Sequence, residues 1–440
     1  MAITGTEMIK SYCYNFQSAL LLESLYFTIL AAFFCSSSHG QDLSPPKMDE
    51  ATSVQGPIQV DDIQANGVNE SIKPEKTAEQ VLGNVLQCGP FDVHLNAEAS
   101  LVYNDNIYIQ QTHKVSDFIG TLSPHLAIGA GDYLQKEESW LAIDYSPSFI
   151  LFTNHDGNDA IDQDGRLNFE WRPASWTFGV KQGYRQDSGP IIEAGDRVNR
   201  SIYDTDVYVK YDLSPKTTFE LDGDQSINDY DQPLFSFNLW TLAGWMDYWI
   251  TPKVKLGVGA TGGFLDVTQN PNQTYQQGLV RAEYDMTENV AIRGSAGGEV
   301  REFQSGQENK FNAVFSLGGT YQPWENTTLL FDAYRRDESS LVAAGENYTV
   351  TGISAGICQV IAEKYILSLT SGFDHSDYYA TAPSVNVDSP YDYFFVRSGI
   401  DWHISSEFTV GCFYQYQENI SSDANAFNNN LTGFNLAYHF

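Results

Sequence analysis

The amino-acid sequence predicts an all-β fold, a transmembrane antiparallel up-and-down β-barrel of about 18 strands that follows a disordered N-terminal tail. Three observations support this prediction. Strand-length stretches in which apolar and polar side chains alternate follow one another from residue 90 to the C-terminus. The connections between them alternate between tight turns and longer polar loops. The mean hydropathy is −0.31, and the chain after its leader lacks the run of about 18 apolar residues that a membrane helix requires.

The composition favours strands over helices. Aromatic residues make up 14% of the chain and glycine occurs 35 times, a mixture that is typical of many strands joined by turns. The formal net charge is −32, which excludes nucleic acid as a partner because its backbone is itself anionic. Two explanations of the acidity stay open: an affinity for divalent cations, including those that bridge anionic lipids at the outer surface, or solubility during transit.

The first 40 residues predict a secretory signal peptide. Lys10 precedes an apolar core at Leu25–Phe34, and Ser38 and Gly40 supply the small side chains expected before a cleavage site. Residues 41–89 are acidic and contain no Tyr, Phe or Trp, so we expect a disordered periplasmic segment. A short helix at 77–86 that plugs the barrel is the alternative. The outer-membrane barrel then occupies residues 90–440.

The tight turns share one chemistry and recur at a regular interval. In Leu213-Ser214-Pro215-Lys216, for example, Pro fixes one backbone dihedral angle and Ser can bond its own backbone. The interval is roughly 36 to 42 residues, which corresponds to two membrane-crossing strands and their connections. The longest loops, 188–200 and 376–390, are the candidates for folding inward and narrowing the lumen. An even count of 18 strands, or of 16 if one hairpin is misread, brings both termini to the periplasm.

Charged side chains collect on one face of the predicted strands. Val207 and Val209, for example, alternate with Asp206 and Lys210. A Lys or Arg on the lipid side costs about 2–4 kcal/mol at the bilayer midplane, so the charged face is expected to line the lumen. The lumen-lining candidates are Arg166, Glu170, Arg172, Lys181, Arg185, Asp206, Lys210, Asp212, Glu220, Asp222, Arg281, Glu283, Arg293, Glu299, Arg301, Arg397 and Asp401. Two interpretations stay open: ion pairs that only stabilise the barrel, or a transverse field that orients and selects polar solutes.

Aromatic residues near the predicted strand ends suggest interfacial girdles at the two membrane surfaces. Stacking on sugar rings inside the lumen is the alternative role. The aromatic residues assigned to the girdles are Trp240, Trp245, Tyr248, Trp249, Trp324, Tyr391, Tyr393, Phe394, Phe395 and Trp402.

The last strand predicts both the closure of the barrel and an assembly signal. Phe434, Leu436, Tyr438 and Phe440 share one face of an alternating stretch that ends on an aromatic residue. We expect this strand to pair with its neighbour and with the first strand, which leaves no open edge. The terminal aromatic face resembles the signal by which the barrel assembly machinery recognises its clients.

No motif in the sequence indicates catalysis. The eight His residues form no HExxH pattern and none lies beside a GxSxG elbow, so we expect no enzyme activity, no catalytic residues and no cofactor. His125 with Ser123, and His403 near Ser405, remain possible pairs across strands. No metal site is expected either, because the acidic loop at 156–164 lacks the spacing of an EF-hand.

The first hairpin carries a family resemblance. Tyr103-Asn104-Asp105-Asn106-Ile107, followed by Ser116-Asp117 and by Pro124-His125-Leu126, is similar to the opening of the β-barrel porin 2 family of bacterial outer-membrane proteins. In that family a Tyr-Asp-x-Asn-aliphatic signature precedes a Ser-Asp and a Pro-Leu pair. Here Asn104 replaces the first Asp, and His125 separates Pro124 from Leu126. The resemblance implies an outer-membrane barrel, with some members associated with exopolysaccharide export, and implies no catalytic residue.

Together these features predict a porin-like channel in the outer membrane of a Gram-negative bacterium, which passes hydrophilic solutes, with saccharides as one candidate class. Exopolysaccharide secretion within an envelope complex and a surface anchor with adhesive loops are the alternatives. The expected partners are outer-membrane lipid, lipopolysaccharide and the barrel assembly machinery, with polysaccharide as an open case and the oligomeric state undetermined.

Overall fold

The computed structural model describes residues 86–136, 138–287, 289–387, 389–421 and 426–440. The expected signal peptide and most of the expected disordered segment at 41–89 lie outside these residues. In the described parts of the chain, no helix has the length and apolar character needed to cross a membrane.

Eighteen strands form a closed antiparallel barrel, which confirms the fold class and the strand count predicted from the sequence. Three short strands lie outside the wall: β1 pairs with the start of β2, and β7 and β8 form a small hairpin within one loop. The strands are β1 Leu86–Cys88, β2 Phe91–Asn104, β3 Asp117–Gly131, β4 Trp140–Phe152, β5 Ala160–Trp171, β6 Trp176–Asp187, β7 Pro190–Ile191, β8 Asp196–Arg197, β9 Arg200–Ser214, β10 Thr217–Tyr230, β11 Phe237–Thr251, β12 Val254–Val267, β13 Gln273–Thr287, β14 Val290–Phe303, β15 Lys310–Trp324, β16 Thr327–Ser339, β17 Glu346–Ile361, β18 Tyr365–Ala380, β19 Tyr391–His403, β20 Phe408–Ser421 and β21 Phe427–His439.

The last strand closes the barrel. β21 pairs antiparallel with β20 on one side and with β2 on the other, where Asn96 lies opposite His439 and Asn104 opposite Leu431. The expected seam is therefore present. Closure satisfies backbone groups that an open sheet edge would leave unpaired in lipid.

Several strands extend further on the long-loop side than the sequence predicts. β18 continues to Ala380 where a loop was expected from residue 376, and its partner β17 starts at Glu346, opposite Ala380. These ends are rich in polar residues such as Ser376, Asp377 and Asn347. Because water tolerates polar side chains on both faces, the alternation that marks a strand in lipid is lost there although backbone pairing continues.

The outer face of the barrel is apolar. Leu122, Leu151, Leu242 and Val280 are among the large hydrophobic side chains that remain exposed there. A belt of such side chains suits contact with lipid chains rather than with water.

The structure corrects half of the predicted aromatic girdle. Trp240 and Trp245 lie on the same strand, but Trp240 is 50% exposed on the outside whereas Trp245 is 5% exposed and packs inside against Leu279 and Val314. The outward set is Trp240, Tyr248, Trp324, Phe394 and Trp402, and the inward set is Trp245, Trp249, Tyr391, Tyr393 and Phe395. The girdle prediction was wrong for the inward set, because residues an odd number of positions apart on a strand point to opposite faces.

Candidate functional site

The predicted lumen residues on β5 to β14 form a continuous charged wall inside the barrel. Arg281 of β13 lies at its centre, because its guanidinium bonds Glu220 of β10 at 2.6 Å and also pairs with Asp247 of β11. The guanidinium lies over the Trp245 ring, 4.3 Å from the centroid. Charged hydrogen bonds and ring stacking together hold this β13 guanidinium against β10 and β11, neither of which is adjacent to β13.

Most other charged groups of this wall are also paired. Tyr208 donates a hydrogen bond of 2.5 Å to Glu170, and Asp212 accepts one of 2.7 Å from Thr218. Arg185 lies opposite Asp164 on the inward face of β6. The further ion pairs are Arg166 with Asp164 at 2.8 Å, Arg172 with Glu170, Lys181 with Asp206 at 3.0 Å, Lys210 with Glu220 at 3.3 Å, Lys255 with Glu283, Arg293 with Glu283 at 3.9 Å, and Arg301 with Glu299 at 2.7 Å.

Arg397 and Asp401 lie apart from this wall, on β19, on the opposite side of the barrel. The Arg397 guanidinium lies over the Phe413 ring at 4.0 Å and donates a long hydrogen bond of 3.4 Å to Gln415. Gln415 in turn bonds Gln417 at 3.1 Å. The far wall is therefore mainly neutral and rich in amide groups, so the two sides of the lumen differ in charge density.

A loop crosses the outer end of the lumen. The segment 188–199, one of the two candidates for constriction, contains Ile191 and Ile192, which are both buried. Ile191 belongs to a cluster with Leu239 and Tyr275 of the charged wall, whereas Ile192 packs against Tyr393 of the far wall. Neighbouring side chains that contact opposite walls require the loop to span the lumen.

A second segment meets this loop. Residues 340–345 connect β16 to β17, and Leu341 is fully buried in the same cluster as Ile191. The backbone carbonyl of Leu341 accepts a hydrogen bond of 2.9 Å from the amide of Phe235, in the loop before β11. The second segment therefore also reaches across the lumen to the charged wall.

Glu193 joins the two segments. Its carboxylate accepts hydrogen bonds from the Ser340 hydroxyl at 2.5 Å, the Leu341 amide at 3.0 Å and the Tyr378 hydroxyl at 3.1 Å. Burial raises the pKa of Glu193 to about 7, because loss of water disfavours the charged form more than these hydrogen bonds favour it.

The hairpin that carries the second segment leaves the barrel wall at its outer end. Pairing between β15 and β16 stops at Phe315 opposite Arg335, although β16 continues to pair with β17 up to Ser339. Asn347, beyond this point, is fully buried and donates a hydrogen bond of 2.7 Å to Gln273 on the inward face of β13. The hairpin end is thus tucked inside the barrel.

Two groups considered for catalysis have other partners in the structure. The Ser123 hydroxyl bonds Ser148 at 2.7 Å, and the His125 ring lies 3.4 Å from Asp144. The His403 ring bonds Thr409 at 2.9 Å. These contacts describe polar lining between adjacent strands.

Sequence reasoning missed the residues that close the outer end, chiefly Glu193, Leu341 and Tyr275. The adjacent isoleucines at 191 and 192 in an otherwise polar loop are the available signal, since loops exposed to water rarely carry such a pair. Nothing in the sequence spacing of Glu193 and Ser340 indicates that they meet.

A closed antiparallel barrel with an apolar outer belt and a polar interior defines a transmembrane β-barrel of the outer-membrane type. No protein-family model matches the chain, and no curated protein matches it.

Solved structures of outer-membrane proteins resemble the fold. OccK2 (OpdF) of Pseudomonas aeruginosa is 12% identical with a TM-score of 0.45, and the match covers 80% of this chain and 98% of that chain. OccAB2 of Acinetobacter baumannii is 12% identical with a TM-score of 0.43, over 80% of this chain and 98% of that chain. OpdK of Pseudomonas aeruginosa, solved with vanillate, is 11% identical with a TM-score of 0.40, over 79% and 98%. At these values the resemblance does not bear on function.

Proposed function

We propose that this protein is a channel of the bacterial outer membrane that passes small hydrophilic solutes without chemical change. The proposal rests on the architecture of the lumen. The lumen has an ion-paired wall on β5 to β14 and a neutral amide wall on β19 and β20, and two crossing segments, 188–199 and 340–345, lie over its outer end. A barrel of this strand number encloses enough space for water.

The hydration of the charged wall supports passage rather than a solid core. Arg166 and Lys210 keep part of their side chains exposed although they point inward, and the Arg172 side chain is 33% exposed. Charged side chains are stable inside a barrel when water reaches them, because complete loss of hydration costs on the order of several kcal/mol per ion. The lumen below the crossing segments is therefore expected to hold water.

The crossing segments favour small solutes over polymers. Segment 188–199 contacts both walls, so a polysaccharide chain could pass only if this segment moved out of the lumen. We therefore rank passive uptake above exopolysaccharide export. Saccharides are the finer proposal. Gln415, Gln417 and Tyr393 are buried in the far wall and bond one another, and they are neutral groups that can bond sugar hydroxyls when the loop moves and exposes them.

Purified full-length protein in planar lipid bilayers tests the channel. We expect discrete conductance steps, and we expect deletion of residues 190–197 to enlarge each step severalfold. A barrel that is folded and inserted but remains silent, both intact and with the deletion, would contradict the proposal. Liposome swelling with a neutral sugar and an amino acid of similar size then tests the saccharide preference, and equal rates would contradict it.

A further inference from the structure

Three carboxylates meet in the charged wall. Asp206 of β9 lies directly opposite Asp224 of β10, and Asp222 lies two residues before Asp224 on the same inward face. One carboxylate oxygen from each residue lies within 4.8 Å of the other two. Like charges directly opposite on neighbouring strands destabilise a sheet, so this arrangement needs a compensating interaction.

Asp206 shows that the surrounding polypeptide supplies this compensation only in part. The residue is fully buried, and apart from the Lys181 ammonium no donor reaches either of its carboxylate oxygens. The Lys181 ammonium lies 3.0 Å from Oδ2 as an ion pair, on the side away from β10. Oδ1 of Asp206 and Oδ1 of Asp222 are both shielded from solvent and receive no donor.

The geometry of the three oxygens suits a hard divalent cation. For three oxygens no more than 4.8 Å apart, a central point lies no more than about 2.8 Å from each, which is close to the Ca²⁺–oxygen range of about 2.3–2.6 Å. Mg²⁺ requires shorter distances and a stricter octahedron. Asp222 and Asp224 are half-buried, so water from the lumen can complete the coordination.

We propose that Asp206, Asp222 and Asp224 bind a divalent cation, with Ca²⁺ preferred over Mg²⁺, in the wall of the lumen. The cation joins β9 to β10 beneath the crossing segments and reduces the negative potential on this wall. The proposal concerns binding and does not depend on whether the barrel conducts.

Isothermal titration calorimetry on full-length protein tests the site. The protein is refolded from inclusion bodies in detergent, because lipopolysaccharide itself binds divalent cations, and is treated with EDTA before titration with CaCl₂ and then with MgCl₂. We expect one Ca²⁺ site whose affinity falls by about tenfold or more in Asp222→Asn and in Asp224→Asn. Asp212→Asn, which changes another inward carboxylate of β9, is the matched control and should bind as the unchanged protein does.

Folding is checked in each variant by the heat-dependent shift of the barrel on an electrophoresis gel. Because Asp206→Asn alters a fully buried group and can fail this check, the half-buried Asp222 and Asp224 variants decide the question. If no Ca²⁺ binds at millimolar concentration, the proposal is overturned, and the close approach of the three carboxylates is explained by a proton shared between them. Binding that is equal in the Asp212, Asp222 and Asp224 variants would overturn it by assigning the cation to another part of the barrel.

Discussion

The carboxylate of Glu193 accepts a hydrogen bond of 2.5 Å from the hydroxyl of Ser340, which joins two loops separated by 147 positions in the sequence. Glu193 belongs to the segment that spans the lumen, and Ser340 begins the segment that enters from the opposite side. The bond therefore connects the two crossing segments at the outer end of the barrel. Its strength depends on the charge of one buried group, so the obstruction should respond to pH.

The closed arrangement should weaken as pH rises. Because the pKa of Glu193 is raised from 4.5 to about 7 in the folded protein, the folded state binds the proton more tightly than the unfolded state. The stabilisation is fully present below the unfolded pKa and is lost as pH rises through about 7, a change on the order of 3 kcal/mol. We expect single-channel conductance or open probability to increase between about pH 5 and about pH 8.5.

Glu193→Gln is the matched control for this pH effect, since it keeps a hydrogen-bonding group that does not ionise. Its conductance should stay near the low-pH value throughout. A pH response of the same size in Glu193→Gln would assign the effect to another group.

Removing the apolar anchors should open the channel without unfolding the wall. The double variant Ile191→Ser, Ile192→Ser places hydroxyls in clusters that are apolar on both sides of the lumen. The loop should then leave the lumen, and conductance should rise while the unfolding midpoint in denaturant changes little, because strand pairing is untouched. A rise no larger than that of Val387→Ser, an exposed site in another loop, would contradict the role of the loop.

Arg281→Ala should strongly destabilise the barrel. It leaves Glu220 and Asp247 without the guanidinium that they share, and breaking a buried pair in this way costs about 3–5 kcal/mol. Arg293→Ala should cost less, because the ion pairs of Arg293 with Glu283 and Asp285 are longer, at 3.9 and 3.8 Å, and its side chain is more exposed than that of Arg281. Denaturant unfolding in detergent measures both, and similar losses would show that Arg281 has no special role.

Deleting Phe440, or changing it to Asp, should impair insertion far more than the same change at His439. The Phe440 ring is exposed on the outer face and packs edge-on against Tyr438 at 4.5 Å, whereas His439 bonds Asn96 across the closing seam at 3.2 Å. Phe434 and Leu436 extend the exposed face. Comparing folded protein in isolated outer membranes gives the measurement; equal losses would count against the assembly signal.

The barrel wall was predictable because the local alternation of apolar and polar side chains marks each strand. β2 begins at Phe91, next to residue 90 where the alternating stretches were predicted to start. Arg166, Glu170 and Arg281 lie on the inward face that the cost of charge in lipid requires. The count of 18 strands followed from counting these alternating segments, and the turn chemistry between them is also local.

The interior was less predictable, because its contacts depend on which residues face each other across strands and loops. The carboxylates of Asp206 and Asp224 meet only through the register of β9 against β10. Trp245 was assigned to the membrane surface because it is aromatic and lies near a predicted strand end, although its parity with Asp247 indicates the lumen. The hydrogen bond between Glu193 and Ser340 depends on how two loops fold. The only indication of that folding in the sequence is the pair of adjacent isoleucines, Ile191 and Ile192.

At the early end of pairing between β15 and β16, side-chain bonds replace the backbone hydrogen bonds of the sheet. Beyond Phe315 and Arg335, Asn312 bonds Asp337 at 2.5 Å and Lys310 bonds Thr349 at 3.2 Å. Side-chain bonds can be exchanged one at a time, whereas a ladder must be broken along its length. The two strands can therefore separate here at lower cost than at any fully paired seam. Among residues 311–314, the amide hydrogens that face β16 should exchange with solvent ahead of those that face β14.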